Sequence, residues 1–278
     1  MSNPNPCFRG ARRLCCAVLI FPALFLTRIA FAQEHDDDHD HDHDHLHFSH
    51  PLVTESPTPD TKLRFDFLTA GTTDLGSERD SRVQVEGEYA FGDAVSLAVI
   101  APYVWLRTGG NTVSSFGDLE LSLKAASMLF AERGILIGGG LSTTLPTGSE
   151  DKGIGSGHVV ELEPFIDAAY KHDALELVTF LSTSSAVNRR SGDTEDRTLS
   201  FNGSVLYALV PRLEALFELA STRTLVGPQT GSWQSLVAPG VKVYPVPNRR
   251  FMFGASAGFG IGDIKTARTY LVSVFYHF

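Results

Sequence analysis

Residues 34–50, EHDDDHDHDHDHLHFSH, concentrate the coordinating groups of this 278-residue chain. Seven of its ten histidines stand here, at His35, His39, His41, His43, His45, His47 and His50. Among them run Glu34, Asp36, Asp37, Asp38, Asp40, Asp42 and Asp44. Imidazole nitrogen and carboxylate oxygen both ligate borderline divalent metals. His-x-His spacing sets alternate rings on one side of an extended chain. A flexible chain can then wrap three or four of them around zinc, nickel or copper. The candidate ligands are the seven histidines with Asp36, Asp40, Asp42 and Asp44. Binding should be weak, of micromolar order, because ordering the chain costs entropy and nothing preorganises the site. It needs neutral imidazole, so it falls as the rings protonate near about pH 6.5. The competing reading is a solvated acidic spacer. No periodic apolar face exists, so residues 33–50 are expected to be disordered. Residues 51–61, PLVTESPTPDT, carry Pro51, Pro57 and Pro59 and read as a linker.

Other chemistry is sparse. Cys7, Cys15 and Cys16 all lie in the first 16 residues, so the body has no thiol for catalysis, disulfides or zinc. His158 follows Ser156 at Ser-x-His, a spacing common by chance, and His172 has no neighbouring serine. Gly153-Ile154-Gly155-Ser156-Gly157 is followed by no helix start, which argues against a phosphate cradle and for a mobile external loop. No catalytic residue is assigned and no enzyme is expected. A net charge of −9 argues against nucleic acid as a partner.

The flanking elements say where these groups work. Arg9, Arg12 and Arg13 precede an apolar stretch from Ala17 to Leu26, and Ala30-Phe31-Ala32 supplies small residues at a cleavage site. Residues 1–32 therefore read as a signal peptide. Its removal takes four arginines and every cysteine with it. From Lys62 onward, short segments alternate apolar and polar residues, the pattern of half-buried strands. Leu199, Phe201, Gly203, Val205, Tyr207 and Leu209 share one face; Thr198, Ser200, Asn202 and Ser204 share the other. After the signal no apolar run reaches 18 residues, so no helix would span a membrane.

The spacing predicts twelve strands over 62–278, joined alternately by long loops and short turns. The long loops are placed near 72–80, 107–115, 146–157, 187–196, 225–232 and 262–266. This is the habit of bacterial outer-membrane barrels, and an even strand number returns both ends to the periplasmic side. The expected fold is all-β: a transmembrane antiparallel up-and-down β-barrel of about 12 strands ending in Phe278. Tyr270, Val272, Val274, Tyr276 and Phe278 form a lipid-facing strip that reads as an insertion signal for the barrel-assembly machinery. Pro102, Pro164 and Pro239 fall inside the assigned strands, so they sit at bulges or some strand boundaries are misplaced.

In this register the lumen receives Arg82, Glu86, Glu88, Asp118, Glu120, Lys124, Glu161, Glu163, Asp167, Glu176, Glu214, Glu218 and Lys242. The set is mostly acidic. A water-filled lumen so lined attracts cations and repels anions. A filled interior, with the few bases paired to acids, stands beside it as the other reading, since twelve strands lie between packed barrels and wide porins.

Phe116-Gly117-Asp118 with Lys124, then Leu145-Pro146-Thr147-Gly148, Gly153-Ile154-Gly155-Ser156-Gly157 and Glu163-Pro164-Phe165, follow one another in an order that resembles a known family. It is the outer-membrane β-barrel family named after the meta-pathway of phenol degradation, transporter-like in description. The resemblance covers most of 62–278 and implies a barrel of about twelve strands in the outer membrane. It supplies no catalytic or ligand residues. The expected protein is a channel or transporter-like barrel in outer-membrane lipid, handling metal ions or a small solute. Its tail, in the periplasm with the C-terminus, would bind divalent metal and serve homeostasis or efflux. The alternatives are a non-conducting barrel that anchors the tail, and a barrel for uptake of small aromatic or hydrophobic compounds.

Overall fold

A computed structural model describes residues 46–72, 79–190 and 197–278. The signal peptide, Glu34, His35, His39, His41, His43, His45 and the aspartates at 36, 40, 42 and 44 lie outside the described residues. The strands are β1 Lys62–Thr72, β2 Arg79–Ala90, β3 Val95–Thr108, β4 Asn111–Phe116, β5 Leu119–Ser127, β6 Ile135–Leu145 and β7 Glu161–His172. They continue as β8 Leu175–Thr183, β9 Ser185–Ala186, β10 Arg197–Val210, β11 Leu213–Val226, β12 Trp233–Val243, β13 Phe251–Gly262 and β14 Ala267–His277.

Neighbours in the chain pair antiparallel, and the first strand pairs the last, from Lys62 opposite His277 to Thr72 opposite Ala267. The sheet is a closed barrel of twelve staves. Closure removes both edges, which satisfies every ladder without exposing unpaired strand groups to lipid. β4 is the far end of the β5 stave: it pairs with Tyr103–Thr108 of β3, while β5 pairs with Val95–Ile100. β9 likewise prolongs β8 along β7. The predicted long loop at 107–115 is instead a tight hairpin through Gly109 and Gly110, both with positive φ, which carries β3 and β4 beyond their neighbours.

The strand prolines sit where ladders break. Beside Pro102 the β3 register slips by one residue between Ile100–Glu120 and Tyr103–Phe116, with the Gly117 N–H donating to the Pro102 carbonyl. Pro164 falls in the gap between β8 and β9, and Pro239 in a gap of the β12–β13 ladder. Proline lacks the N–H that an unbroken ladder needs.

Alternation divides the wall. On β14, Tyr270, Val272 and Tyr276 face out, while Leu271, Ser273 and Phe275 are buried inward. Outward aromatics gather near the short turns (Tyr89, Phe91, Tyr276, Phe278) and toward the long loops (Trp105, Phe116, Trp233, Tyr270), with aliphatics such as Leu97, Val99, Leu123 and Val205 between. An apolar band between two aromatic girdles suits a bilayer's hydrocarbon and its two interfaces.

The glycine-rich loop at 153–157, expected to be mobile, is folded down onto the barrel. Asp118 accepts hydrogen bonds from the N–H groups of Gly148 (2.8 Å) and Ser156 (2.6 Å). Ile154 is buried. Gly155, at φ +104°, lies so close to Gly148 that a side chain would collide with it.

Val272 is 49% exposed at the middle of β14. Val272→Arg should cost about 2–4 kcal/mol of barrel stability in lipid, as a charge at the bilayer midplane does. Thr230→Arg, on an outer loop, should cost nothing measurable. Urea titrations of both variants refolded into vesicles check this.

Candidate functional site

The inward face carries most of the predicted lumen residues. Glu86, Glu88, Lys124, Asp167, Glu176, Glu214, Glu218 and Lys242 are buried, and Glu120, Glu161 and Glu163 half-buried. Arg82 shares that face but is exposed at the long-loop end of β2. Asp118 is taken up by the loop it anchors. β1 adds three charges that the register reading missed, Lys62, Arg64 and Asp66, all buried. Burial favours pairing, because an isolated charge taken from water costs roughly several kcal/mol; Asp167, whose buried oxygens accept no hydrogen bond, is the exception among these residues. Lys62 pairs with Glu86 (3.1 Å) and Glu88, and Arg64 with Asp66 (2.8 Å). Lys124 pairs with Glu88 (3.2 Å) and Lys242 with Glu214 (2.9 Å).

Residues 46–61 fill the short-turn half of the lumen, so the segment read as a linker is instead packed inside the barrel. Phe48 is 0% exposed and Leu52 2%. They join a core of inward Leu136, Val178, Leu206, Leu216, Met252 and Phe275. Gly254 leaves the space that Leu52 occupies; any Cβ there would strike the leucine side chain. The segment has no strand partner, yet its buried backbone groups need partners. The charged wall supplies them. Glu176 accepts from Ser49 N–H (2.7 Å), and Glu218 accepts from Val53 N–H (2.9 Å) and Thr54 N–H (3.0 Å). Lys242 donates to the His50 carbonyl (3.0 Å) and Arg64 to the Leu52 carbonyl (2.6 Å). The segment returns a carboxylate, Glu55, to Lys124 at 2.8 Å. Burial alone would raise the Glu55 carboxyl. Lys124 and Lys62 outweigh it and hold the group down at about 2.

At the short-turn mouth four side chains from three parts of the chain meet. His47 Nε2 and His50 Nε2 each lie 3.0 Å from Asp60 Oδ2, and His277 Nδ1 lies 2.8 Å from the same oxygen. All four potential ligand atoms lie within 4.8 Å of one another. His50 is buried, and its ring packs near-parallel to those of Phe275 (centroids 6.2 Å apart) and His277 (5.4 Å). Burial first, and the Lys62 charge after it, hold its imidazole well below the usual range against the pull of Asp60, so it is neutral. Burial would raise Asp60, but the hydrogen bonds from His277, His47 and His50 hold it far below the usual carboxylate range. The group lines a cavity of about 250 Å³ together with Ser49 and Arg249. Of the tract, the described His47 and His50 are thus drawn into the barrel mouth. Asp60 and His277 were missed, and their only sequence signal was a histidine and an aspartate at the two ends of the barrel segment.

Three solved structures place the architecture. The chain matches the NanC porin with a TM-score of 0.57 at 10% identity, over 78% of this chain and 100% of that one. It matches an outer membrane channel from Pseudomonas putida F1 with 0.59 at 12% identity, over 79% and 96%. The fold is that of an outer-membrane porin. The KdgM porin agrees, with 0.51 at 12% identity, over 77% and 99%. No protein-family model matches the sequence, and none of the curated proteins matches it either.

Two outcomes follow for this porin-type barrel. Phe48→Ala should weaken docking of residues 46–61 by about 3–5 kcal/mol, the cost of emptying an aromatic site. Hydrogen exchange should quicken there while the strand amides stay protected. Acid should act in the same direction through Glu55. Its pKa is lowered on docking, so its contribution is complete above about pH 4.5 and is lost as pH falls toward 2. Limited proteolysis of the segment across that range reads the loss.

Proposed function

We propose that the chain is an outer-membrane channel whose conductance is set by its own N-terminal segment, with the histidine–aspartate tract serving as a periplasmic collector of divalent metal. The observation that carries this is the attachment of residues 46–61. They are held to the wall by side chains and not by a sheet ladder, so they can leave without opening the barrel. The wall left behind is charged and rich in carboxylates, which favours small cations over anions. Short turns face the periplasm in bacterial barrels, which supports a periplasmic side for the tract and for both described ends of the chain, with residues 1–32 acting as the signal peptide. The resemblance to the phenol meta-pathway family keeps small aromatic solutes as a competing cargo. The second reading, a filled barrel that anchors the tail, draws on the complete burial of Phe48 and Leu52.

Planar-bilayer recordings separate the readings. The intact protein should conduct weakly or intermittently. Deleting residues 33–58 should raise conductance several-fold and give a reversal potential of cation preference, with migration in detergent gels still heat-modifiable. Neutralising Glu86 and Glu88 to Gln in the deleted form should lower that preference. A deleted barrel that stays silent would establish the anchor reading instead.

A further inference from the structure

We infer that His47, His50, Asp60 and His277 form a binding site for a zinc-like divalent cation that latches the lumen segment to the barrel's closing seam. This inference rests on the reading of residues 46–61 as the element that controls the pore, and it assigns that element a ligand.

The donor set is the first argument. Three imidazole nitrogens converge on one carboxylate oxygen at 2.8–3.0 Å. With each proton on its other ring nitrogen, these three atoms and the Asp60 oxygen become four lone-pair donors within 4.8 Å of one another, close enough to gather around one ion. Three nitrogens and one oxygen make a closed four-coordinate set, the kind that serves structural zinc with no position left for a reacting water. Zinc holds such ligands at about 2.0–2.1 Å, which places them roughly 3.3 Å apart. The present atoms lie within 4.8 Å of one another, so each needs to move by only about 1 Å. His47, whose side chain is 53% exposed, has the freedom to do so.

Support around the ligands is the second argument. Metal sites bind well when outer groups fix the inner ones. The other Asp60 oxygen accepts the Thr61 N–H at 2.9 Å. The buried His50 ring is held by packing against the neighbouring rings of Phe275 and His277. The second carboxylate cluster in the lumen, Glu55 of the segment with Glu86 and Glu88 of the wall, has its charge met by Lys62 and Lys124 and is no rival site.

Connectivity is the third. His47 and His50 stand where the segment enters the lumen, Asp60 where it leaves, and His277 opposite Lys62 in the β1–β14 pairing. One ion would therefore tie both ends of the segment to the last strand at the seam. The five histidines just upstream, His35 to His45, would raise the local metal concentration beside the site.

The test uses the full mature chain in detergent with His35, His39, His41, His43 and His45 changed to Asn, so that the upstream tract is silent. Calorimetry with zinc chloride should show one site per chain. Affinity should fall by at least about tenfold in His277→Asn. It should fall likewise in His47→Asn, which lies outside the strands and keeps the test alive if the β14 variant folds poorly. Zinc should also slow hydrogen exchange at residues 46–61 and lower conductance in the parent, and do neither in the variants. Zinc affinity unchanged in both variants would overturn the inference, as would absence of a site in the five-Asn chain. Binding that leaves exchange in the segment unaltered would overturn the latch. A segment-deleted barrel that never conducts would overturn the channel reading alone, because calorimetry and exchange still read the site.

Discussion

Every buried peptide group must find a hydrogen-bond partner, and this requirement organises the inside of the barrel. The strands meet it by closure. The segment inside them cannot, because the wall has no free edge to offer. Long charged side chains take the place of an edge: glutamates receive the segment's N–H groups, and lysine and arginine reach its carbonyls. The same charges would be untenable in the lumen without one another, so wall pairing and segment docking belong to one network. Prolines at 51, 57 and 59 reduce the number of N–H groups that need a partner. Ion pairs of this kind contribute little net stability but fix one arrangement. The apolar cluster around Phe48 and Leu52 supplies the burial that holds the segment in.

The wall was legible because a period of two survives any error in strand ends. The faces of β10 and β14 read from Leu199 and Tyr270 are those observed. The prolines were legible as breaks for the same local reason. The inner segment was not, since a proline-rich stretch with no periodicity looks alike whether solvated or packed in a lumen. A signal did exist on the wall: inward positions near the short turns carry Leu136, Leu206, Leu216, Met252 and Phe275, which a water-filled pore would have no use for. The mouth cluster was half legible. His47 and His50 stood out by type, whereas Asp60 and His277 gain meaning only when closure brings residue 62 opposite residue 277.

Most of the motifs that carried the family resemblance meet at one place. Asp118 binds the backbone of Gly148 and Ser156, and Gly155 packs against Gly148, so three separated motifs form one clasp at the long-loop end. Phe165, from the last motif, stacks on Phe180 inside the wall with ring centroids 5.1 Å apart. These residues hold an outer loop and a lumen wall in place. Lys124, which belongs to the first motif, does reach the inner segment, at Glu55.

The inner segment goes in at the short-turn mouth, beside Lys171, turns near Thr54 against Glu218, and comes out at Asp60 through the same mouth. It is therefore a bight and not a thread: among the described residues, no part of the chain passes through the ring of strands from one end to the other. The ring can close first and receive the segment afterwards, or release it and take it back, with no strand parted and no free end drawn through. Assembly in the membrane and occupancy of the lumen are thus topologically separate events, and either can be altered in a variant without tangling the other.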